Sequence, residues 1–359
     1  MNAGLPFGGV YRGKTVLVTG HTGFKGSWLA LWLHRLGANV VGYALPPTGP
    51  QDNFMLCKLD ELIDDIHGDI RDMKALRAVF DEYRPDMVFH LAAQAIVRES
   101  YARPAETVET NVMGTVNVLE CVRQFEETQA AVIVTSDKCY ENREQLWGYR
   151  ECDPMGGYDP YSASKGCAEL VAAAWRRSFP GKAIATARAG NVIGGGDWAA
   201  HRILPDCVRA LRAGMPVEVR SPQAVRPWQH VLEPLSGYLA LMQRLLHDPD
   251  KFAGPWNFGP CADSIVPVQT VVEQFLKLWG SGSWADCSCP TDPHEATLLS
   301  LDCTKARALL GWKPQLSLDE GLKWAADWYR RFEGTDVRAI CQRQMEDYSA
   351  RMLETRGDR

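Results

Sequence analysis

The first 190 residues alternate short apolar runs with helical patterns, and this alternation limits the folds that the chain can adopt. Strands that alternate with helices pair in parallel through right-handed crossovers. The runs are apolar almost without interruption, which indicates burial on both faces of a sheet. We therefore predict an α/β fold, a doubly wound parallel sheet. The predicted strands are Thr15–Thr19, Val40–Tyr43, Leu62–Ile66, Met87–Leu91, Ala131–Thr135 and Ala183–Ala187.

Helical patterns fill the segments between these runs, and the pattern changes near residue 191. Beyond that point glycine, proline and tryptophan become frequent and the alternation weakens. We predict a nucleotide-binding domain over residues 1–190 and a smaller C-terminal substrate-binding lobe over 191–359, with segments near 228–260 returning to the main sheet. Residues from about 342 onward are polar, which favours a surface helix or a frayed tail. The predicted helices are 24–36, 72–83, 104–125 and 161–178.

Charge and cysteine content exclude several classes of protein. The net charge of −5 argues against non-specific binding of nucleic acid, because a phosphate backbone attracts a basic surface. The 11 cysteines are scattered without a Cys-x-x-Cys pair, which indicates reduced thiols and no metal site. The chain begins without a basic-then-apolar leader and has no apolar run long enough to cross a bilayer. We expect a cytoplasmic protein with no membrane partner.

A glycine-rich turn joins the first strand to the first helix. Gly20 allows a tight turn, and Gly23 lets the backbone approach a diphosphate closely. Gly26 permits the helix to pack closely on the strand. The preceding strand and following helix make a dinucleotide site more plausible than a flexible loop. Small residues at the end of the fourth strand leave room for the same ligand. The predicted cofactor contacts here are Gly20, Thr22, Gly23, Phe24, Lys25, Gly26, Leu91, Ala92, Ala93 and Gln94.

A tyrosine and a lysine four residues apart on a predicted helix indicate oxidation of an alcohol. Tyr161 and Lys165 lie on one helix face. Tyrosine has a pKa of about 10 and is a poor base at neutral pH. We expect the Lys165 cation to lower the pKa of Tyr161 by roughly 1–3 units, so that Tyr161 accepts the alcohol proton while hydride leaves. Both residues are also predicted cofactor contacts.

Three polar residues follow the fifth strand, at the edge of the sheet where that helix begins. Ser136 directly follows the strand, and we expect it to point into the same cleft as Tyr161. Asp137 and Lys138 are charged, which is unusual at the end of an apolar strand. The pair is either a solvated turn or an acid–base pair that removes water next to the oxidised carbon. We favour the acid–base pair.

The motifs together resemble the extended short-chain dehydrogenase/reductase superfamily, and within it the nucleotide-sugar 4,6-dehydratases. Those enzymes typically carry Asp-Glu after the hydroxyl residue, and Lys138 replaces that glutamate here. In this respect the chain is most similar to the dehydratases that act on CDP-glucose. The resemblance runs from about Gly13 to Pro314. It is carried by Gly20–Trp28, Thr135–Asn142, Gly156–Lys165, Arg188–Trp198, Arg226–Val231 and Leu309–Pro314.

This resemblance implies a Rossmann sheet, NAD as cofactor and CDP-glucose as substrate. It implies oxidation at carbon 4, elimination across carbons 5 and 6, and hydride return to carbon 6, in a pathway of deoxysugar and O-antigen synthesis. Asp137 would protonate the leaving hydroxyl, and Lys138 would be the carbon 5 base or an enolate stabiliser. Asp69 and Ile70 would contact the adenine ring. Residues 42–45 carry neither an acid nor an arginine, so NAD rather than NADP follows from the resemblance alone.

The diphosphate of a nucleotide sugar needs donors, and guanidinium groups can pair its oxygens bidentately. Arg202 and Arg226 are the predicted ligands by position, together with Asn191 at the start of the lobe. Arg98 and Arg188 are weaker candidates. Tryptophans of the second half either stack on the base or fill the lobe, and core packing is the simpler explanation.

Several other functions remain compatible with parts of this pattern. A nucleotide-sugar 4-epimerase would share the tyrosine and lysine but needs no acid–base pair, and dehydratases of dTDP-glucose or GDP-mannose would carry glutamate at position 138. A non-catalytic NAD-sensing regulator could dispense with the tyrosine and lysine. The resemblance also implies a homodimer or homotetramer built on the helices at 104–125 and 161–178. An apolar stripe of Val108, Val112, Val116 and Leu119 fits that contact or the core equally well.

Overall fold

The computed structural model describes residues 5–289 and 296–357. Its centre is a seven-stranded sheet in the order β3-β2-β1-β4-β5-β6-β11. Six further strands form three two-stranded pairs, β7 with β10, β8 with β13, and β9 with β12. The strands of the described residues are β1 Thr15–Thr19, β2 Asn39–Ala44, β3 Asp64–His67, β4 Met87–His90, β5 Ala130–Val134, β6 Ala183–Ala189, β7 Val192–Ile193, β8 Val217–Val219, β9 Val225–Pro227, β10 Gln229–His230, β11 Gly254–Phe258, β12 Ile265–Pro267 and β13 Trp284–Asp286.

All neighbouring strands of the central sheet run parallel, so the predicted doubly wound sheet is confirmed. The chain builds outward from β1 to β3 and then crosses to β4 on the other side of β1. This reversal opens a crevice at the carboxyl ends of β1 and β4, where ligands of such sheets bind. The third strand begins later than predicted, because Leu59–Glu61 forms a 3-10 turn before it.

Helices cover both faces of the sheet and contribute to the lobe. The predicted helix at 104–125 is one helical stretch with a π-helical segment, Glu109–Met113, between α5 and α6. The helices of the described residues are α1 Phe24–Arg35, α2 Asn53–Leu56, α3 Met73–Tyr83, α4 Val97–Ala102, α5 Pro104–Val108, α6 Gly114–Gln124, α7 Pro160–Ser178, α8 Ile203–Arg212, α9 Leu232–His247, α10 Pro249–Phe252, α11 Val268–Trp279, α12 Leu318–Arg331 and α13 Val337–Gly357.

The second half of the chain returns twice to the central sheet. β11 lies parallel to β6, with Trp256 opposite Ala187. Before it, Gln229–His230 pairs with β7 rather than with the main sheet. α9 then packs against β5 and β6, and its fully buried Leu235 and Leu239 belong to the main core. The division of the chain near residue 190 stays a prediction.

The polar C-terminal segment is a helix that packs one face on the core and exposes the other, so it agrees with the expected surface helix and not with a frayed tail. Tyr348 of α13 is fully buried and donates to Glu233 Oε2 at 2.6 Å. Its ring lies edge-on to Trp32 of α1 at 5.8 Å. Cys341 lies 3.8 Å, sulfur to sulfur, from Cys57 beside α2. A few large side chains on one face therefore anchor a helix whose composition is otherwise polar.

No helix of the described residues is both long enough and apolar enough to cross a membrane.

Among the described glycines, Gly195 leaves the least room for a side chain, because it packs directly against Trp328 of α12. A Cβ atom built on Gly195 would lie 1.9 Å from Cγ of the fully buried Trp328. We expect Gly195→Ala to lower the free energy of unfolding by about 2 kcal/mol or more. The new methyl group would overlap the Trp328 ring where it joins Cβ, and a buried ring cannot move aside there. Gly321→Ala in α12 is the matched control, since its Cβ would meet nothing closer than 3.4 Å. Urea unfolding followed by circular dichroism measures both; equal stabilities would contradict this packing.

Candidate active site

A pocket opens at the carboxyl ends of the central strands, and residues from the second half of the chain line its other side. Its lining includes residues that the sequence predicts to bind the cofactor, to catalyse the reaction and to bind the substrate. Its other wall includes residues of α8, β8 and β9. The predicted site residues that line it are Phe24, Lys25, Arg98, Ser136, Asp137, Lys138, Tyr161, Asn191, Arg202 and Arg226.

The glycine-rich turn has the geometry of a diphosphate cradle. Gly20 has φ +77°, and a Cβ there would lie 2.7 Å from the backbone nitrogen of Ala92. A Cβ on Gly26 would lie 2.0 Å from the carbonyl oxygen of Gly20. α1 begins at Phe24 with Gly23 at its N-cap, and no side chain caps it. Its first N–H groups are thus available to an anion, as a dinucleotide requires.

The remaining predicted cofactor contacts surround this turn, and their assignment stays a prediction. Thr22 donates to the carbonyl of Leu45 at 2.9 Å. The backbone nitrogens of Leu91 and Ala92 bond to Thr19, and Ala93 follows them half-buried. Gln94 is held by Thr107 and Asn111 on the facing helices.

Asp69 and Ile70 lie at the end of β3. The Asp69 carboxylate accepts several hydrogen bonds from Arg71, which hold the pKa of Asp69 below its usual range despite partial burial. Ile70 is buried against Gly114. Asp72 rather than Asp69 caps α3, accepting from Ala75 N at 3.0 Å. The Asp69 carboxylate is therefore not used as a helix cap.

Ser136 and Asp137 form a short hydrogen-bonded unit directly after β5. Ser136 Oγ accepts from the backbone nitrogen of Lys138 and donates to Asp137 Oδ1 at 3.0 Å. Asp137 is 3 % exposed, and its Oδ2 has no hydrogen-bond partner among the described residues. Burial raises the pKa of Asp137, while Lys138, the Ser136 bond and Arg226 oppose the rise. The protonated carboxyl is thereby favoured, which is the form that can donate a proton.

Tyr161 lies in the first turn of α7, which Asp159 caps through Ser162 N at 2.9 Å. Burial raises the pKa of Tyr161 to about 12, and a hydrogen bond with Ser136 opposes the rise. The pKa of Tyr161 is therefore raised and not lowered as expected, and the effect expected of Lys165 stays a prediction. The cost of placing a phenolate in a buried site exceeds the stabilisation by the neighbouring charges.

Two buried amines lie close to the predicted catalytic residues: Lys25 lines the pocket, whereas Lys165 is not among its lining residues. Lys165 is 6 % exposed, and its Nζ donates to the carbonyl of Val134 at 3.3 Å. Burial lowers the pKa of Lys165 to about 8. Burial also lowers the pKa of Lys25 to about 7, with the positive charges of Arg202 and Lys165 adding to the effect. Lys25, predicted only as a cofactor contact, therefore lies in an electrostatic cluster with the catalytic residues.

Lys138 lines the pocket beside Asp137 and is half-buried. It belongs to the short 3-10 turn Asp137–Cys139 that begins after Ser136. Lys138 thus lines the same pocket as Asp137, and their role as an acid–base pair stays a prediction.

Arginines lie on several sides of the pocket, but one of the five predicted substrate ligands does not reach it. Arg202 is held by Asp197 at 3.0 Å, and Arg226 lies buried in β9. Arg98 of α4 and Asn191 after β6 are half-buried on the wall. Arg188 instead points into the protein, where Glu169 pairs its guanidinium at 2.7 Å. Its position before Asn191 suggested a ligand, but the alternation of side chains along β6 turns it inward.

Some pocket residues were not predicted. Asp197 orients Arg202, and its place in the Gly194–Trp198 motif is the signal that could have found it. Arg220 follows β8 and lies 3.3 Å from the ring nitrogen Nδ1 of His201. Both enter the pocket from the lobe, whose strands are too short to be recognised by periodicity. Among residues 5–289 and 296–357, no group of three His, Cys, Asp or Glu side chains is arranged to hold a metal ion.

Comparison with known proteins agrees with this geometry. The family profile of GDP-mannose 4,6-dehydratase matches residues 17–254. A CDP-glucose 4,6-dehydratase of Salmonella typhimurium is 50 % identical over 94 % of this chain and 97 % of its own length. A dTDP-glucose 4,6-dehydratase of Haemophilus influenzae is 25 % identical over 88 % of this chain and 97 % of its own.

Solved structures show the same architecture. A dTDP-glucose 4,6-dehydratase of Streptomyces venezuelae, solved with NAD bound, has a TM-score of 0.78 and 25 % identity, over 88 % of this chain and 97 % of its own. A UDP-glucose 4-epimerase of Thermus thermophilus in complex with NAD has a TM-score of 0.76 and 25 % identity, over 88 % and 99 %. The matched profile and the 50 % identical relative extend over the strands, the glycine-rich turn and the pocket. The chain therefore belongs to the family of nucleotide-sugar 4,6-dehydratases.

Proposed function

We propose that this protein is a lyase that converts CDP-D-glucose to CDP-4-keto-6-deoxy-D-glucose and water. Two observations support this activity. Tyr161, Asp137 and Lys138 meet in one pocket, and a CDP-glucose 4,6-dehydratase is identical at half of the aligned positions. The single observation that carries the proposal is the buried Asp137 carboxyl beside Tyr161, because oxidation alone needs no second acid.

NAD fits the cradle formed by the glycine-rich turn and the uncapped start of α1. When bound, it accepts hydride from carbon 4 of the glucose and returns it to carbon 6. Relatives of the same fold are solved with NAD bound. Phe24 and Lys25 lie where the cradle meets the pocket, so they are placed to hold the reactive end of the cofactor.

The residues of the pocket divide the proton transfers between them. Tyr161 takes the proton of the carbon 4 hydroxyl, and the buried Lys165 supplies the positive charge that the phenolate needs. The resulting ketone acidifies the proton on carbon 5. Lys138 is placed to remove that proton and to deliver a proton to carbon 5 when hydride returns to carbon 6. Asp137 gives its own proton to the oxygen leaving carbon 6. The raised pKa of Asp137 favours the protonated form that this step requires.

The pocket offers cations for the substrate diphosphate. Arg202 and Arg226 line it on the lobe side, Arg98 lines it from α4, and Asn191 lies between β6 and β7. Asp197 fixes the Arg202 guanidinium, which reduces the entropy lost when a diphosphate binds. The cytosine preference rests on the Salmonella typhimurium relative, because no single pocket residue specifies a base.

The alternatives are less well supported by the site. A 4-epimerase has no use for Asp137 and Lys138 in the pocket, although epimerases share the fold. The dTDP-glucose 4,6-dehydratase of Haemophilus influenzae is only 25 % identical to this chain. A non-catalytic NAD sensor would not need buried Tyr161 and Lys165 side by side on α7.

Turnover of CDP-glucose tests the proposed function directly. Incubation with CDP-glucose and NAD should give the alkaline ultraviolet absorbance of a 4-keto sugar, and dTDP-glucose and GDP-mannose should react at least tenfold more slowly. Tyr161→Phe should lower the rate at least a hundredfold, because the carbon 4 proton then has no acceptor. A faster reaction with dTDP-glucose would contradict the nucleotide assignment, and no signal with any nucleotide sugar would contradict the lyase.

The role of Lys138 can be decided by two substitutions. If Lys138 is the base, Lys138→Met and Lys138→Arg both lower solvent deuterium incorporation at carbon 5 at least a hundredfold, because neither residue can accept the proton. Incorporation is measured by NMR of the product. Retention in Lys138→Arg would instead make residue 138 an enolate stabiliser. Lys25→Met is the companion variant: loss of exchange there, with exchange intact in Lys138→Met, would assign the base role to Lys25.

We further propose that the enzyme works in the cytoplasm as a homodimer or homotetramer that supplies deoxysugar synthesis for the O-antigen. Exposed apolar residues on the helices expected at the contact support the assembly. Val108 before the π-helical segment is 45 % exposed, Met113 within it 50 %, and Leu170 of α7 60 %. Leu119, from the predicted stripe, lies in the core instead.

Leu170→Asp should therefore shift the protein from dimer to monomer, because a carboxylate would be buried at the contact. Light scattering coupled to size-exclusion chromatography measures the mass. Leu146→Asp is the control, since Leu146 is 88 % exposed on a loop outside these helices. A monomeric wild-type protein would contradict the proposed assembly.

A further inference from the structure

Glu169 is a buried acid that the proposed reaction does not use. It is 4 % exposed and lies on α7, four residues after Lys165 and eight after Tyr161. Residues with this spacing lie along one face of a helix. Glu169 therefore continues the line of reacting side chains into the interior of the protein.

Arg188 of β6 pairs with Glu169 in a bidentate geometry. Its Nε donates to Glu169 Oε1 at 2.9 Å and its Nη2 donates to Oε2 at 2.7 Å. The hydroxyl of Thr135 also donates to Oε1, and that of Thr186 donates to Oε2 at 2.7 Å. Although burial opposes it, these bonds lower the pKa of Glu169, so the pair is ionised. Two hydrogen bonds between fork-shaped groups define orientation as well as distance.

The same pair holds both ends of the segment that carries Asp137 and Lys138. Thr135, at the start of the segment, is held by Glu169. Tyr140, at its end, accepts a hydrogen bond from Arg188 Nη1 at 2.6 Å, and its ring lies 4.8 Å beneath the guanidinium. Tyr140 in turn donates to Asn257 on β11 at 2.7 Å. The reacting segment is thus tied at both ends to β6 and α7.

Glu169 also contributes to the charge environment of Lys165. Each element packed around this ammonium supplies a group: Glu169 and Tyr161 from α7, Cys139 from the reacting segment, His90 from β4 and Lys25 from α1. Glu169 and Cys139 favour the charged amine. Lys25 disfavours it by charge repulsion, and burial keeps His90 neutral at ordinary pH, with a pKa of about 3.

We propose that Glu169, paired with Arg188, is a positioning residue of the reaction that keeps Lys165 charged and fixes the segment Thr135–Tyr140 against α7. Neither residue touches the pocket, so both act through the residues that do. The inference rests on the proposed function for its hydride-transfer readout, whereas its charge readout needs only binding of NAD.

The charge role is tested by the pH at which NAD binding is lost on the alkaline side. Lys165 is charged below its pKa of about 8 and loses its charge as the pH rises through that value. Glu169→Gln removes the negative charge and leaves Arg188 as an uncompensated cation, so this alkaline limb should move to lower pH by about one unit. Tryptophan fluorescence on titration with NAD measures it. Glu169→Gln/Arg188→Gln removes both charges and should return the limb to near the wild-type pH.

The positioning role is tested by the double variant at neutral pH. Without the ties at Thr135 and Tyr140, the rate of nicotinamide reduction in a single turnover should fall at least tenfold, because small displacements of reacting groups are costly. The affinity for NAD should change less than threefold. Asp86→Asn is the control, because it breaks a half-exposed ion pair with Lys14, which lies just before β1. It should change neither the rate of nicotinamide reduction nor the alkaline pH at which NAD binding is lost.

These outcomes separate the inference from a structural contribution and from the proposed function. If the pair were purely structural, every variant would have a lower melting temperature, but Glu169→Gln would lose NAD binding at the same alkaline pH as the wild type. Three results would overturn the inference. Glu169→Gln could lose NAD binding at the same pH as the wild type, or the double variant could lose it at the same lowered pH as Glu169→Gln. The double variant could also reduce nicotinamide at the wild-type rate. If Glu169→Gln does not fold, the double variant decides. A wild-type protein that binds NAD without reacting with CDP-glucose would contradict the proposed function, and the limb comparison would still test Glu169.

Discussion

The ion pair between Glu169 and Arg188 allows charged groups to lie inside the sheet, and the arrangement of the site depends on it. Buried ions are tolerated when each has an opposite partner and its remaining hydrogen-bonding capacity is used. Here two threonine hydroxyls and one tyrosine hydroxyl complete the bonds of the pair. Because Thr135 and Tyr140 belong to the segment after β5, Thr186 belongs to β6 and Glu169 lies on α7, one electrostatic contact links three elements.

Burial then determines the protonation of the reacting groups. Removing water disfavours every charged form, so it raises the pKa of Asp137 and Tyr161 and lowers that of Lys165 and Lys25. A carboxyl whose protonated form is favoured and a lysine, Lys25, whose neutral form is accessible near pH 7 are suited to a reaction in which protons move at three neighbouring carbons, while Lys165 with its pKa of about 8 still carries its charge at neutral pH. The same physical cause thus gives acids and bases complementary properties without a separate device for each.

Much of this site follows from the sequence, and the remainder depends on tertiary packing. The glycine-rich turn could be predicted because Gly20 and Gly26 have no room for a Cβ. The direction of the Tyr161 pKa was wrong because a helix pattern shows which residues are neighbours and not how deeply they are buried. Arg188 was assigned to the substrate because its motif lies beside the pocket, whereas the side-chain alternation of β6 turns it towards Glu169. Glu169 itself was within reach, since its spacing from Lys165 repeats that of Lys165 from Tyr161.

The packing of α13 has a consequence for synthesis of the chain. Tyr348 lies near the C-terminus, yet it contacts Trp32 near the N-terminus and donates a hydrogen bond to Glu233, which is itself fully buried. Burial raises the pKa of Glu233 to about 7, and the Tyr348 bond opposes that rise. During translation this contact cannot form until Tyr348 has left the ribosome. The first helix is therefore completely packed only after that point, and a nascent chain that lacks Tyr348 leaves this part of the core exposed to chaperones and proteases.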